Sequence, residues 1–171
     1  MVILIHAERA FRLYLALTLS LEMESERRMI TYKKGYVAGV FDLFHVGHLN
    51  LLENAKGQCT HLVVGILTDE LVIHFKHKPP YIPFEERIRI VRALRVVDEA
   101  VGVDFSNIDK MDAWKLYHFD CLFSGDDYAD NPSWIADQKR LRAVGSDIIF
   151  FPYTKSTSST SIKALITKSL L

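Results

Sequence analysis

Cysteine is scarce in this chain: Cys59 and Cys121 are the only two in 171 residues. They stand far apart and form no C-x-x-C pair, which argues against a zinc site or a disulfide framework and fits a reducing compartment. Charge of one sign is also missing. Lys plus Arg and Asp plus Glu are 21 each, so no global field favours nucleic acid or an acidic membrane. Phosphate binding, if present, has to come from local clusters. No apolar run is long enough to span a bilayer. Val2 to Ile5 and Leu13 to Leu21 are apolar, but Glu8, Arg9 and Arg12 interrupt them. The run has the length of a signal h-region, yet Glu22-Met23-Glu24-Ser25-Glu26 follows it instead of a small-residue cleavage site. Internal repeats, low-complexity linkers and second-domain boundaries are lacking too.

What the chain does have is an ordinary globular composition, 49% apolar and 25% charged, and enough length for one domain with a substantial core. Residues 1–28 read as an extension without catalytic role; an amphipathic segment packing on the domain, on another subunit or on a membrane surface is the alternative. The remainder, 29–171, reads as one domain. Strand-like and helical patterns alternate along it. Strands are expected at Tyr36–Phe41, His61–Leu67, Glu99–Val103, Cys121–Ser124 and Asp147–Phe151. Helices are expected at Leu49–Lys56, Phe84–Val97, Lys110–His118, Trp134–Val144 and Ser161–Ser169. This order predicts an α/β fold: a Rossmann-like, doubly wound, five-stranded parallel sheet with helices on both faces and ligands at the carboxyl ends of the strands.

Four clusters fall at those carboxyl ends. The first is His45-Val46-Gly47-His48, between a strand and a helix start. Two imidazoles flanking a glycine there suit phosphate oxygens. A metal reading lacks a third ligand at matching spacing. The second is Thr68-Asp69-Glu70 with Lys76 and Lys78. The lysines could neutralise a triphosphate or a phosphorylated substrate, or belong to a solvated loop. The third is Ser124-Gly125-Asp126-Asp127-Tyr128, whose carboxylates could meet a ribose, a base or a substrate hydroxyl, or hold Mg²⁺, or simply form an Asp-rich turn. The fourth begins at Thr154. Six hydroxyl residues, Ser156 to Ser161, follow Lys155; at a helix start they can cap free N–H groups or receive phosphate. Arg87, Arg89, Arg92 and Arg95 read mostly as a solvated helix face, with Arg95 placed to point toward the site.

The Gly39–His48 run, G-V-F-D-L-F-H-V-G-H, resembles the G-x-F-D-x-x-H-x-G-H signature of cytidylyltransferases, within the wider HxGH nucleotidyltransferases. The T-D-E from Thr68, the K-H-K-P-P-Y-I-P-F-E-E-R run to Arg87, V-V-D-E near Asp98, G-D-D at Gly125–Asp127 and the terminal S-S-T-S-I-K follow in family order. The resemblance covers about Tyr36 to Lys163 and is nearest to the glycerol-3-phosphate cytidylyltransferases. It implies transfer of CMP from CTP to a phosphorylated small alcohol, giving a CDP-alcohol and pyrophosphate, in the cytoplasm, with Mg²⁺ and as a homodimer. His45, His48 and Lys76 would be catalytic. Val40, Phe41, Asp42, Gly47, Asp126, Asp127, Thr154, Ser158, Ser159 and Thr160 would hold the nucleotide; Lys78, Arg95 and Asp69 the acceptor. No dedicated protein metal site is implied. The chain departs from the family's R-T-x-G-I-S-T-T motif at Tyr153, where the family has Arg, and at Ser156, where it has Gly. Alternatives are an ATP-dependent adenylyltransferase, a CTP-binding regulatory protein without turnover, and a membrane-surface protein acting through Val2–Leu21.

Overall fold

The computed structural model describes residues 31–152, 154 and 157–169. The proposed extension over residues 1–28, and the Tyr153, Lys155 and Ser156 positions, lie outside the described residues.

Five strands form one wholly parallel sheet: β1 (Tyr32–Gly39), β2 (Cys59–Leu67), β3 (Glu99–Val103), β4 (Cys121–Gly125) and β5 (Asp147–Phe151), in the spatial order β3-β2-β1-β4-β5. Among the described residues the helices are α1 (Val46–Gln58), α2 (Asp69–Lys76), α3 (Phe84–Arg92), α4 (Lys110–Tyr117), α5 (Pro132–Arg142) and α6 (Ser159–Ser169); a 3₁₀ turn, Asp126–Tyr128, follows β4. Among the described residues no helix is long and apolar enough to cross a membrane.

Strand periodicity of two sorts the core into halves. Val37, Leu62, Val64, Cys121 and Phe123 face one side and pack with Leu52 and Ala55 of α1 and Ile88 and Val91 of α3. Their neighbours Tyr36, Val63 and Leu122 face the other side and meet Ala113 of α4 and Leu141 of α5. A parallel sheet covered on both faces needs such continuous apolar strands, and β2 supplies one from Leu62 to Ile66.

The chain winds outward from β1 to β2 and β3, then crosses back to β4 and β5. The direction therefore reverses between β1 and β4, and a crevice at their carboxyl ends is the expected ligand position. The ladder sharpens this. β1 pairs with β4 only at Gly35↔Cys121 and Tyr36↔Leu122, although the strands run on to Gly39 and Gly125. Beyond Tyr36 they part, and the gap opens.

Several elements differ from the sequence pattern. α1 begins at Val46 rather than Leu49, which places His48 in its first turn, and β2 begins at Cys59 rather than His61. β1 starts at Tyr32 rather than Tyr36, because the Asp120 carboxylate accepts from the backbone N–H of Lys33 and Lys34 at 2.9 and 2.8 Å and ties the strand's entry down. Helix α2 was not expected. Its signal was nonetheless present: Thr68 caps it by accepting from Leu71 N, and Asp69 and Glu70 occupy its first turn. Helix α3 ends at Arg92 and not at Val97. Asp98 is held by Leu62 N at 2.6 Å and by Lys56 at 2.5 Å, which draws the preceding residues into turns that seat Leu94, Val96 and Val97 on the core.

Candidate active site

A cavity of about 340 Å³ occupies the crevice. Its walls come from the ends of β1 (Ala38, Gly39), β4 (Ser124, Gly125) and β5 (Phe151), from the start of α1 and from the start of α6. Two helix N-termini thus meet one space. Neither helix carries an acid in its first turn, so the partial positive charge of both ends is available to an anion.

His45 caps α1. Its Nδ1 accepts from Gly47 N at 3.0 Å, while its own backbone N–H donates to His48 Nδ1 at 3.4 Å. In each neutral ring the proton then sits on Nε2, because Nδ1 is an acceptor. Both rings line the cavity and stack at 3.9 Å between centroids. Each therefore keeps an Nε2–H for a ligand. Gly47 is needed at this turn: a Cβ there would come within 2.9 Å of the His45 ring. Burial holds His48 down at about 4, with the neighbouring His45 adding to the effect; burial lowers His45 as well. Neutral imidazoles near pH 7 are the consequence.

The loop from Val40 to Phe44 is strained. Phe41 and Leu43 have φ of 53° and 49°, left-handed values that bulky residues rarely adopt. Asp42 holds it. That carboxylate is almost fully buried and accepts from Tyr81 N and Ile82 N and from Lys163 Nζ at 2.7 Å. Burial alone would raise its carboxyl; the hydrogen bonds from Lys163 and the two amides outweigh burial and keep it below the ordinary value. Asp42 thus lines the cavity as an organiser of the loop, with its oxygens already taken.

The remaining expectations divide. His45, His48, Lys76, Val40, Phe41, Gly47, Asp127, Thr154, Ser158, Ser159 and Thr160 all line the cavity. Several of the hydroxyls also have local partners. Ser158 Oγ accepts from Ser161 N, Ser159 Oγ donates to Asp42 O, and Thr154 Oγ1 accepts from Asn50 Nδ2. Asp126 and Lys78 are exposed and line neither this cavity nor its neighbour. Asp69 turns its carboxylate to Phe84 N and Arg87 and lines neither cavity. Arg95 is exposed in the turn leading into the amino end of β3, away from the cavities at the carboxyl ends. Arg87, read from sequence as part of a solvated face, is the fully buried arginine.

Lys163 was not singled out from sequence. It sits four positions after Ser159, hence on the same face of α6, lines the cavity, and lies 5.0 Å from the Tyr81 ring centroid. Replacing it with methionine removes a cation from the cavity and leaves the buried Asp42 with only its amide partners. We expect Lys163→Met to weaken nucleoside triphosphate binding about tenfold, with a stability loss of about 1–3 kcal/mol, read by calorimetric titration and thermal melting. Unchanged nucleotide affinity would remove Lys163 from the binding machinery.

A family model described as cytidylyltransferase-like matches residues 36–165. The chain belongs to the cytidylyltransferase-like family. Over 137 residues this cytidylyltransferase-like protein is 34% identical to the glycerol-3-phosphate cytidylyltransferase of Bacillus subtilis, covering 80% of this chain and 95% of that one. Over 131 residues it is 34% identical to an FAD synthase of Thermococcus kodakarensis, covering 77% and 85%. Among solved structures it matches a lipopolysaccharide core biosynthesis protein from Thermoplasma volcanium, with a TM-score of 0.59, 23% identity and coverage of 74% of this chain and 99% of that one; this last likeness bears on the fold. The family's enzymes are nucleotidyltransferases; in this chain the H-x-G-H turn and Thr154, Ser158, Ser159 and Thr160 line one cavity.

Proposed function

We propose that the protein transfers CMP from CTP to a phosphorylated small alcohol, glycerol-3-phosphate foremost, releasing pyrophosphate. The observation that carries this reading is the pair of neutral imidazoles at the head of α1, facing the head of α6 across one cavity. Near-complete coverage of the Bacillus relative supports the choice of acceptor.

An oxygen of the acceptor phosphate attacks the α-phosphorus of CTP. The new phosphorus–oxygen bond forms as the bond to the β-bridging oxygen breaks, and the electron pair leaves with pyrophosphate. A phosphate monoester is largely dianionic near neutral pH, so no strong base is required. The protein's work is alignment and shielding of charge. His45 and His48 donate through Nε2 to oxygens of the reacting phosphate, Lys163 and the helix ends meet the triphosphate, and Lys76 stands at the side from which the acceptor enters. Partial desolvation, with repulsion from Lys163, lowers the Lys76 ammonium.

Mg²⁺ suits this donor set only as an ion carried largely by triphosphate oxygens and water. Among the described residues no three His, Cys, Asp or Glu side chains cluster to hold a metal, Asp42 is committed to its loop, and Asp127 is the cavity carboxylate left to touch such an ion. When bound, it would neutralise charge on the leaving pyrophosphate. Cytoplasmic location and a homodimer complete the proposal.

Adenylyl transfer from ATP is the second reading, favoured by the relatives named FAD synthase. Pyrophosphate release separates the two. With Mg²⁺, CTP and ATP are crossed against glycerol-3-phosphate, phosphoethanolamine and a sugar phosphate. Release with CTP and glycerol-3-phosphate is the expected result; release with ATP alone would overturn the choice of CTP.

A further inference from the structure

One face of α1 lies against the segment that leads into α6. Gly47 and Asn50 are three positions apart and so share that face. At Gly47 a Cβ would stand 3.4 Å from Thr157 O. At Asn50 the side chain bridges the two: Nδ2 donates to Thr154 Oγ1 at 3.1 Å, between residues 104 positions apart. Thr154 lines the cavity that holds His45 and His48, whereas Asn50 lines neither it nor its neighbour.

The direction of this bond sets the hydrogen of the threonine. A hydroxyl has one proton and two lone pairs, while an amide NH₂ can only donate. One lone pair of Thr154 is therefore taken, and its proton has no acceptor among the described residues. Ser159 has the opposite setting. Its proton goes to Asp42 O at 2.9 Å, which leaves lone pairs for a ligand. Two hydroxyls of one cavity thus differ in kind: Thr154 is kept a donor and Ser159 an acceptor.

The rest of the lining says what a donor would meet. The Nε2–H groups of His45 and His48, the ammonium groups of Lys76 and Lys163 and the heads of α1 and α6 all favour negative oxygen. Hydrogen bonds to a charged acceptor are the stronger ones. A hydroxyl already turned to donate also loses no rotational freedom when the ligand arrives.

We propose that Asn50 is a positioning residue for the nucleotide, its amide keeping the Thr154 hydroxyl a donor to an anionic oxygen of the triphosphate. Thr154 touches the ligand and Asn50 acts through it. This deepens the nucleotidyl-transfer reading and rests on it for the identity of the ligand.

The test is a set of double-mutant cycles on the full chain, read by calorimetric titration with CTP, ATP and inorganic tripolyphosphate and then by pyrophosphate release. Thr154→Val removes the donor and should weaken triphosphate binding about tenfold or more. Asn50→Ala frees a rotor with three staggered settings and should weaken binding about threefold. Asn50→Asp keeps the shape but reverses the bond, since a carboxylate can only accept; it takes the threonine proton, and binding should fall about tenfold or more. In the Thr154→Val background Asn50→Ala should add nothing. Asn50→Asp should there add only the small effect of its charge. The triphosphate KM should rise in step while kcat and the acceptor KM hold. A general loosening of α1 would instead lower kcat, because that helix carries His45 and His48. Equal losses from Asn50→Asp in the two backgrounds, additive losses from Asn50→Ala, or a cycle seen with CTP and ATP but not with tripolyphosphate would overturn the proposal. The expected cycle in binding without pyrophosphate release would uphold the role of Asn50 and overturn the transfer reading. Pyrophosphate release with an unchanged triphosphate KM in every Asn50 variant would do the reverse.

Discussion

Replacing His48 with alanine is expected to lower kcat by about a hundredfold or more, the scale on which a single transition-state donor acts, while nucleotide binding changes by only a few-fold. The argument rests on protonation and aim. His48 Nδ1 is occupied by His45 N, so Nε2–H is the free donor. Its ring is buried enough to sit at about 4, so it enters the reaction as a neutral donor and not as a fixed cation. A neutral donor binds ground-state oxygens weakly and gains as negative charge builds on the reacting phosphate, so its removal falls on kcat more than on binding. Single-turnover kinetics beside nucleotide titration check the split. Near-normal turnover in His48→Ala would end the assignment.

The same residue fixes a pH dependence. An unfolded histidine titrates near 6.5, whereas folded His48 does so at about 4. Between these values the unfolded chain binds a proton that the folded chain does not. Stability therefore falls as pH drops from about 6.5 toward 4, and His48 contributes no slope above that window. In His48→Ala the slope of melting temperature against pH should flatten over that interval.

The fold was largely legible because its determinants are local and periodic. The apolar run of β2, the pattern of β5 and the strand-then-glycine ends need only neighbouring residues to be read. What escaped depended on distant partners. The end of α3 is set by Asp98 reaching Leu62 and Lys56. Asp42 reads as a ligand-binding carboxylate until Tyr81, Ile82 and Lys163 are seen to saturate it. Arg95 and Arg87 exchange roles for a similar reason. A charged side chain on an amphipathic helix is ordinarily solvated, yet Arg87 lies three residues after Phe84 and four before Val91, on the face that packs against the sheet. The H-x-G-H turn was legible since its residues act on one another within four positions.

Arg87 gives the largest expected effect on stability. Its guanidinium is wholly buried and joins four places: Nε donates to Ile82 O at 2.9 Å, one terminal nitrogen to Val40 O, and the other to Leu67 O at 2.8 Å and Asp69 Oδ1 at 2.7 Å. These are the end of β1, the end of β2, the first turn of α2 and the loop before α3. Arg87→Met fits the volume but leaves a partly buried carboxylate and three carbonyls without their donor. Removing one partner from a buried ion pair costs about 3–5 kcal/mol, which for a domain of this size lowers the melting temperature by on the order of 10 °C. Arg87→Lys should recover little, since a single ammonium cannot span the fork geometry. The loss should reach the active site as well, because Val40 begins the loop whose left-handed Phe41 and Leu43 cost about 1–3 kcal/mol each to hold. In Arg87→Met that loop is free to relax, and His45 and His48, which follow it directly, lose their register with the head of α6. Adding Asp69→Ala should cost less in the Arg87→Met background than in the wild type, since the carboxylate has by then lost its counter-charge. Melting within about 2 °C of wild type, with strictly additive effects of the two substitutions, would show that the four-way contact does not hold the sheet ends together.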